Sequence, residues 1–400
     1  MEILLSSLLA ICAGLLAIPI VVFSAEVVCA LTLPLRDCVS YSRNESRKRI
    51  AVLVPAHDEG TALLQTIADI RIQLHPGDRL LVVADNCTDD TAGIACAAGA
   101  EVVERHDPDK RGKGYALDFG IRHLSLDPPG IVIVIDADCR VKDNTIDQLA
   151  MTSASTRRPV QALDLMIAPN GARISHQIAE FAWRVKNWVR PLGLRALGLP
   201  CQLMGTGMAF QWEIIRSIKL ASGQIVEDLE FGLELAMAGT PPLFCPSAVV
   251  TSHFPLSAEG EARQRKRWEH GHINMIIRSV PHLLFQAIAK RNWGLLALVF
   301  DLAVPPLSLL GVLVLAMLIV SSSATFLGSA WTALAISMAS LLAFMSAVFL
   351  AWIKYGRDIL PPRAIVSIGP YVLKKLGLYR QFVFGKTDAE WTRTDRSKLE

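Results

Sequence analysis

An α/β domain with a mostly parallel sheet, joined to three transmembrane helices, is the fold class this sequence predicts. Three observations carry it. Long apolar stretches stand near the N-terminus and in the last third of the chain. Between them, short β-branched runs alternate with helix-like segments. Acidic turns close those runs. Composition agrees: 52% of the 400 residues are hydrophobic and only 19% are charged, which is few for a soluble enzyme. A net charge of +3 is too small to imply a nucleic-acid partner.

A span needs roughly 20 apolar residues. Ile3 to Ala25 is uncharged and is closed by Glu26. Gly294 to Val320 carries Asp301 and the pair Pro305-Pro306. Phe326 to Ile353 carries no charge. A cleaved leader would need a positive n-region, whereas the only early charge is Glu2, so the first stretch reads as an anchor. Lys and Arg near span ends set orientation. Arg36, Arg43, Arg47, Lys48 and Arg49 follow the first span. Arg278, Lys290 and Arg291 precede the second, and Lys354 and Arg357 follow the third, while 321–325 are uncharged. Residues 36–293 and the C-terminal tail are therefore expected in the cytosol.

The chain thus divides into an anchor (1–35), a cytosolic catalytic domain (36–252) and a basic amphipathic segment (253–293). Two transmembrane helices (294–353) and a tail with an interfacial helix (354–400) follow. The tail's candidate helix is 367–384, with Lys374, Lys375 and Arg380. The eight cysteines show no zinc-ligand or C-x-x-C spacing and read as reduced, mostly buried thiols.

Within the catalytic domain, Ile50 to Val54, Leu80 to Ala84, the pair Val102-Val103 and Ile131 to Ile135 read as strands. Ala62 to Gln73 and Asp90 to Ala98 read as intervening helices. Ligands bind beyond the carboxyl ends of such strands. Pro55-Ala56-His57-Asp58-Glu59, Asp85 to Asp89 and Asp136-Ala137-Asp138 all lie there, which points to a single site.

Asp136 and Asp138 are two apart, so they point to one side of a strand end and suit Mg2+ or Mn2+; equally, they read as turn caps. Lys113, in the glycine-flanked turn 110–114, reads as a diphosphate ligand or as a solvated lysine. Gly205-Thr206-Gly207 permits close approach to a ligand or a sharp turn. Asp228, ahead of the helix pattern Phe231 to Met237, reads as a helix cap or as a general base. Arg263 to Trp268 offers guanidinium groups for phosphate and an indole for a sugar, or a basic face for anionic lipid. His270 and His272 read as surface or acceptor-side residues. The apolar positions Ile174, Ile178, Phe181, Val185, Trp188, Val189 and Leu192 form an amphipathic helix, either interfacial or core-facing, with Trp183 and Trp188 free for an interface. Asp301 has no evident partner in the sequence, and a buried acid at that depth is usually functional or helix-paired.

Taken in order, the motifs from about Arg49 to Trp268 resemble the family 2 glycosyltransferases. The bacterial membrane branch is the nearest in kind, with its cellulose, hyaluronan and poly-N-acetylglucosamine synthases. The resemblance implies a GT-A, Rossmann-like, nucleotide-sugar-binding fold and an inverting, metal-dependent transfer. It implies that Asp85 and the turn of Pro55, Ala56, Asp58 and Glu59 hold the base and ribose. Lys113 and Asp136 lie by the diphosphate, beside Gly205 and Thr206. Asp136 and Asp138 form the Mg2+ or Mn2+ site, and Asp228 is the catalytic base. Gln264, Arg267 and Trp268 contact the diphosphate and acceptor sugar. Ala84 stands where the family more often has an acid, and Asp58 where Asn is commoner. The expected partners are a nucleotide-sugar, most simply a UDP-sugar, a lipid-linked or glycan acceptor, membrane lipids and polysaccharide-assembly proteins. The expected place is a bacterial inner membrane. Three spans are few for a polymer channel, so a single-addition enzyme of exopolysaccharide or glycolipid synthesis is favoured. A processive synthase acting as an oligomer or with a partner, and a non-catalytic nucleotide-sugar-binding subunit, are the alternatives.

Overall fold

A computed structural model describes residues 2–35, 47–169, 171–221, 226–255, 257–328 and 330–384. Arg36, Arg43 and Cys38 lie outside the described residues, as does the tail beyond 384. In chain order, helix α1 (Glu2–Thr32) precedes β1 (Ile50–Ala56), α2 (Leu63–Arg71), β2 (Arg79–Asp85), α3 (Thr91–Ala97) and β3 (Glu101–Arg105). Then come α4 (Lys113–Leu124), β4 (Ile131–Val134), β5 (Arg140–Val141), α5 (Thr145–Thr156) and β6 (Val160–Ile167). Helices α6 (Ile174–Arg184) and α7 (Arg190–Ala196) are joined by a π-turn, Val185–Val189. Strand β7 (Met208–Gln211), α8 (Trp212–Ile215), α9 (Glu227–Met237) and β8 (Leu243–His253) complete the sheet region. The chain continues through α10 (Ala258–Ala289), α11 (Trp293–Leu302), α12 (Leu307–Phe326), α13 (Trp331–Tyr355) and α14 (Ile368–Phe384).

Two compact units result. Among the described residues, the sheet unit falls within 35–167 and 198–261 and the helical unit within 2–34, 168–197 and 262–384.

The sheet unit has eight strands in the order β3-β2-β1-β4-β7-β6-β8-β5. The four expected strands form its parallel half, β3-β2-β1-β4. Of these, β1, β2 and β4 are apolar on both faces because both are covered. Val52 and Val54 of β1 pack with Ile67, Ile70 and Leu149 from α2 and α5. Ala51 and Leu53 pack on the other side, with Leu117 and Ile121 from α4 and Leu235 from α9. The second half is mixed: β7 is antiparallel to both β4 and β6, and β6 runs parallel to β8. The β6–β8 register jumps between Ala162 and Leu163, and Pro246 of β8 falls in that bulge, where a strand tolerates a residue without an N–H.

Among the described residues of the helical unit, three helices are long and apolar enough to cross a membrane: Ile3–Thr32, Leu307–Phe326 and Trp331–Tyr355. Their bounds differ from the sequence expectation. Pro305-Pro306 splits the stretch from Gly294 to Val320, so α11 is a separate short apolar helix and α12 starts after the prolines. The uncharged residues 321–325 are therefore helical, α12 running on to Phe326.

The helix expected from Ile174 to Leu192 is core-facing. Ile178, Phe181, Val185 and Val189 pack with Ile20, Phe23 and Val27 of α1 and with Phe344 and Trp352 of α13. Its indoles are engaged as well: Trp183 lies 4.9 Å from Trp268 and Trp188 lies 5.0 Å from Tyr355, centroid to centroid. Gly193 lets α7 touch α1, because a Cβ there would stand 1.9 Å from the Glu26 carbonyl oxygen.

Asp301 has a partner that sequence spacing could not reveal. Arg190 donates from Nη2 to Asp301 Oδ1 at 2.6 Å and from Nε to Glu26 Oε2 at 2.6 Å, and all three side chains are buried. One guanidinium thus joins α1, α7 and α11. His272 is likewise internal, not a surface residue, because the single long helix α10 turns it inward. Its Nε2 lies 3.1 Å from the Leu302 carbonyl, and burial, with Lys186 adding, pushes the imidazole down to about 3. The seven described cysteines are free thiols, of which only Cys139, Cys201 and Cys245 are buried, fewer than the sequence reading expected.

Removing one member of a buried ion cluster leaves uncompensated charge and costs about 3–5 kcal/mol, whereas replacing the whole cluster with apolar groups is often neutral. Arg190→Met is therefore expected to lower the unfolding temperature in detergent sharply. Glu26→Leu and Asp301→Leu added to it should restore most of the loss. An unchanged melting curve for Arg190→Met alone would contradict the role given to the cluster.

Candidate active site

Four backbone segments of the sheet unit bring polar groups together around Lys113. The first is the start of α4. Gly112 precedes it, and Lys113, in its first turn, directs Nζ onto the Asp136 carboxylate and, at 2.8 Å, onto the Gly205 carbonyl oxygen. The second is the turn after β4, which carries Asp136 and Asp138, both half-buried. The third is 204–207, ahead of β7. The fourth is the first turn of α9, with Glu227 and Asp228. Asp228 is not the helix cap, since Val226 occupies that position. Gly205 adopts φ +93°, a backbone that favours glycine, and a Cβ there would touch both Asp228 Oδ2 at 3.5 Å and Lys113 Nζ at 3.6 Å. The missing side chain leaves the space between the two groups open.

Buried polar residues hold this geometry. Thr66, on α2, donates its hydroxyl to the carbonyls of Ala137 at 2.7 Å and Cys139 at 2.8 Å, clamping the acidic turn. Thr206 Oγ1 accepts the Asp136 N–H at 3.0 Å. Gln161, fully buried on β6, donates to the Thr206 carbonyl at 2.8 Å and accepts from the Met204 N–H at 2.8 Å. Sequence reading missed Thr66 and Gln161, because a lone polar residue in an apolar element has no spacing signature; only an unexplained buried donor or acceptor marks it.

Charge here is unbalanced. Burial works against the Lys113 ammonium, yet Asp136, Glu227 and Asp228 outweigh it and hold its pKa above the ordinary lysine value. Burial pushes the Glu227 carboxyl up to about 7; the Asp228 carboxylate adds to this and Lys113 opposes it. Three acids thus face one ammonium. That excess of hard oxygen donors fits a divalent cation such as Mg2+ or Mn2+, with Asp136 and Asp138 the partly exposed pair at the strand end.

The turns after β1 and β2 form the adjoining wall. His57 Nδ1 is 2.6 Å from the Asp85 carbonyl oxygen, and Glu59 N–H donates to Thr91 Oγ1 at 2.9 Å. Asp58, at φ 52°, accepts the Thr88 N–H at 2.6 Å and the Thr88 hydroxyl. Burial alone would raise Asp58, but these bonds hold it below the ordinary carboxylate value. Asp58, Cys87 and Asp89 bring ligand-capable atoms within 4.8 Å of one another. Both carboxylates already accept turn hydrogen bonds, and burial raises the Cys87 thiol, so this group reads as a braced turn. Pro55 and Ala56 end β1. Asp85 is buried and ion-paired to Arg105 Nη1 at 2.6 Å. Arg105, unflagged in the sequence, ends β3 and lies over the Tyr115 ring at 5.5 Å.

Gln264, Arg267 and Trp268 belong to the helical unit. Gln264 is buried on α10, and Trp268 packs on Trp183, over whose ring Lys186 stands at 5.4 Å.

Glu227 supplies a pH test. A carboxyl whose pKa is raised on folding contributes stability that is fully present below its ordinary value of 4.5 and lost as pH rises through about 7. Glu227→Gln cannot ionise. Without nucleotide or divalent ions it should unfold at a higher temperature than wild type at pH 8, and at the same temperature at pH 4. Equal melting at pH 8 would refute the electrostatic account.

A family model described as glycosyltransferase-like family 2 matches residues 47–271, more than half of the chain. A probable glycosyltransferase of Bacillus subtilis, YdaM, is 27% identical over 285 residues, 64% of this chain and 60% of that protein. Glucosyl-3-phosphoglycerate synthase of Mycobacterium tuberculosis is 29% identical over 205 residues, 45% of this chain and 59% of that enzyme. The chain therefore spans about three fifths of the length of these curated relatives. Among solved structures, the mannosyltransferase PcManGT of Pyrobaculum calidifontis, in complex with GDP-Man and Mn2+, superposes with a TM-score of 0.56. It is 17% identical and covers 94% of this chain and 99% of its own. At that identity the likeness speaks for the fold, which is GT-A. The matched span contains every residue that converges on Lys113, and the chain belongs to the glycosyltransferase-like family 2.

Proposed function

We propose that this chain moves a sugar from a nucleoside-diphosphate donor, most simply a UDP-sugar, to a hydroxyl of a lipid-linked acceptor, with inversion at the anomeric carbon. The observation that carries the reading is the convergence of Lys113, Asp136, Gly205 and Asp228 from four segments of the sheet unit. Asp136 and Asp138 would hold Mg2+ or Mn2+, which when bound neutralises the departing diphosphate. Lys113 donates to a diphosphate oxygen and keeps that charge where it develops. Asp85 and the 55–59 turn take the base and ribose, with Arg105 fixing the Asp85 carboxylate.

Asp228 is the general base. It accepts the proton of the acceptor hydroxyl as that oxygen bonds to the anomeric carbon, and the bond from that carbon to the diphosphate breaks on the opposite face. With the acceptor oxygen itself as nucleophile, this is one displacement. The M. tuberculosis relative is named for a phosphoglycerate acceptor and the P. calidifontis structure holds GDP-Man and Mn2+. Those ligands support a nucleotide donor and a metal; the lipid acceptor is supported by three helices of membrane-spanning length on the same chain. A bacterial inner membrane, with the sheet unit in the cytosol, is the setting we propose from the basic flanks of those helices. Gln264, Arg267 and Trp268 favour a second reading, a processive synthase, by their likeness to the polymer-forming branch.

The test is transfer by membranes carrying wild type or Asp228→Asn, given a panel of radiolabelled nucleotide sugars with Mg2+ or Mn2+. Label is counted in lipid extract, insoluble polymer and water-soluble product. Label in lipid that falls at least about 100-fold in Asp228→Asn, and disappears with chelator, is the expected result. The same dependence in polymer makes the synthase reading correct, and in water-soluble product a small-molecule acceptor. Transfer indifferent to Asp228 would overturn the mechanism.

A further inference from the structure

Helix α14 grips α10 on one side. The partners advance together along the two helices. The Arg265 guanidinium stands over the Tyr371 ring at 5.4 Å, Glu269 meets Lys375 and Tyr379, and His270 meets Leu378 and Phe382. Glu269 is the residue after Trp268. At about 100° per residue, Arg265, Glu269 and His270 fall on one side of α10, and Gln264, Arg267 and Trp268 on the other.

The centre of the grip is a closed ring of four polar groups from three helices. Lys375 donates to the Glu269 carboxylate and, at 3.1 Å, to Ser308 Oγ at the start of α12. Tyr379 donates to Glu269 Oε2 at 2.9 Å, which leaves the Ser308 hydroxyl to donate to the Tyr379 oxygen at 2.6 Å. The side chains of Lys375 and Glu269 are only 10% and 12% exposed, and Tyr379 is buried. Burial, with the Glu269 carboxylate adding, pushes the Tyr379 phenol up, so it stays a donor.

Apolar packing at this place would be as stable and far less directional. A turn of α10 about its axis would carry the Glu269 carboxylate away from both its donors. On the other side of the helix, Trp268 lies against Trp183, over whose ring Lys186 stands.

We infer that Glu269, Lys375 and Tyr379 are positioning residues for the transfer, and that α14, through them, sets the direction in which Gln264, Arg267 and Trp268 point. This rests on the reading of those three as substrate-contacting and adds the C-terminal helix to the machinery. The test uses membranes carrying the full chain and the labelled nucleotide sugar that wild type transfers. Glu269→Leu with Lys375→Met removes both charges, so neither is left buried alone. Tyr379→Phe removes one hydroxyl and disturbs no buried charge. Both should melt near the wild-type temperature. The rate at saturating donor should fall at least about tenfold in the pair, the cost of a small misplacement, and by a lesser factor in Tyr379→Phe. In a Trp268→Phe background, itself slowed, the pair should cost less than about twofold, because both changes act through one side chain. A merely structural role would give the same loss in both backgrounds. That result, or wild-type rates in the pair and in Tyr379→Phe, would overturn the proposal and leave the transfer reading intact. Trp268→Phe at the wild-type rate would remove the role read for 264–268, and the brace with it.

Discussion

Lys113 places a single ammonium among Asp136, Glu227 and Asp228, and the architecture of the sheet unit serves to keep it there. Like charges gathered so closely repel one another, and burial adds to the cost. The fold bears that cost through neighbours that cannot easily relax. Thr66 clamps the acidic turn, Gln161 and Thr206 fix the segment opposite, and Gly205 holds a backbone conformation that leaves the space between Lys113 and Asp228 clear. Strain of this kind is common where a protein keeps charge ready for a ligand and compensates for it elsewhere.

The helical unit solves a related problem with a different group. Arg190 bridges the buried carboxyl groups of Glu26 and Asp301, and it does so across three helices. Helix α1 is thereby part of a packed assembly. Gly193 and the cluster around Phe23 and Phe344 bring backbones and rings into direct contact there. Tyr379, Lys375 and Glu269 extend the same logic to the C-terminal helix, and a closed set of hydrogen bonds fixes its orientation.

Legibility in the sequence followed the strength of local pattern. The parallel strands β1, β2 and β4 announced themselves as unbroken β-branched runs, because a strand covered on both faces needs no polar alternation. Strand β6, with Gln161 and Asp164 inside it, and β8, interrupted by Pro246, carried no such run and escaped notice, although they complete the sheet. The acidic turns were visible because strand ends and carboxylates coincide. Thr66, Gln161 and Arg105 were not, since what makes them matter is a contact across the fold. Asp301 was visible only as an anomaly: its partner lies 111 residues away in the chain. Apolar content alone also overran Pro305-Pro306, where the missing N–H groups divide one expected span into a short helix and a long one.

The central claim is that Lys113 and Asp136 form the diphosphate end of a donor site from which Asp228 stands apart as base. Calorimetric titration of the detergent-solubilised chain with UDP and, separately, GDP in the presence of Mn2+ addresses this most directly. Binding of one nucleotide should weaken at least about tenfold in both Lys113→Met and Asp136→Asn, corresponding to about 1.4 kcal/mol, and remain at the wild-type level in Asp228→Asn. Equal affinity in all four proteins would mean that the nucleotide binds elsewhere and that the cluster is a structural feature of the fold.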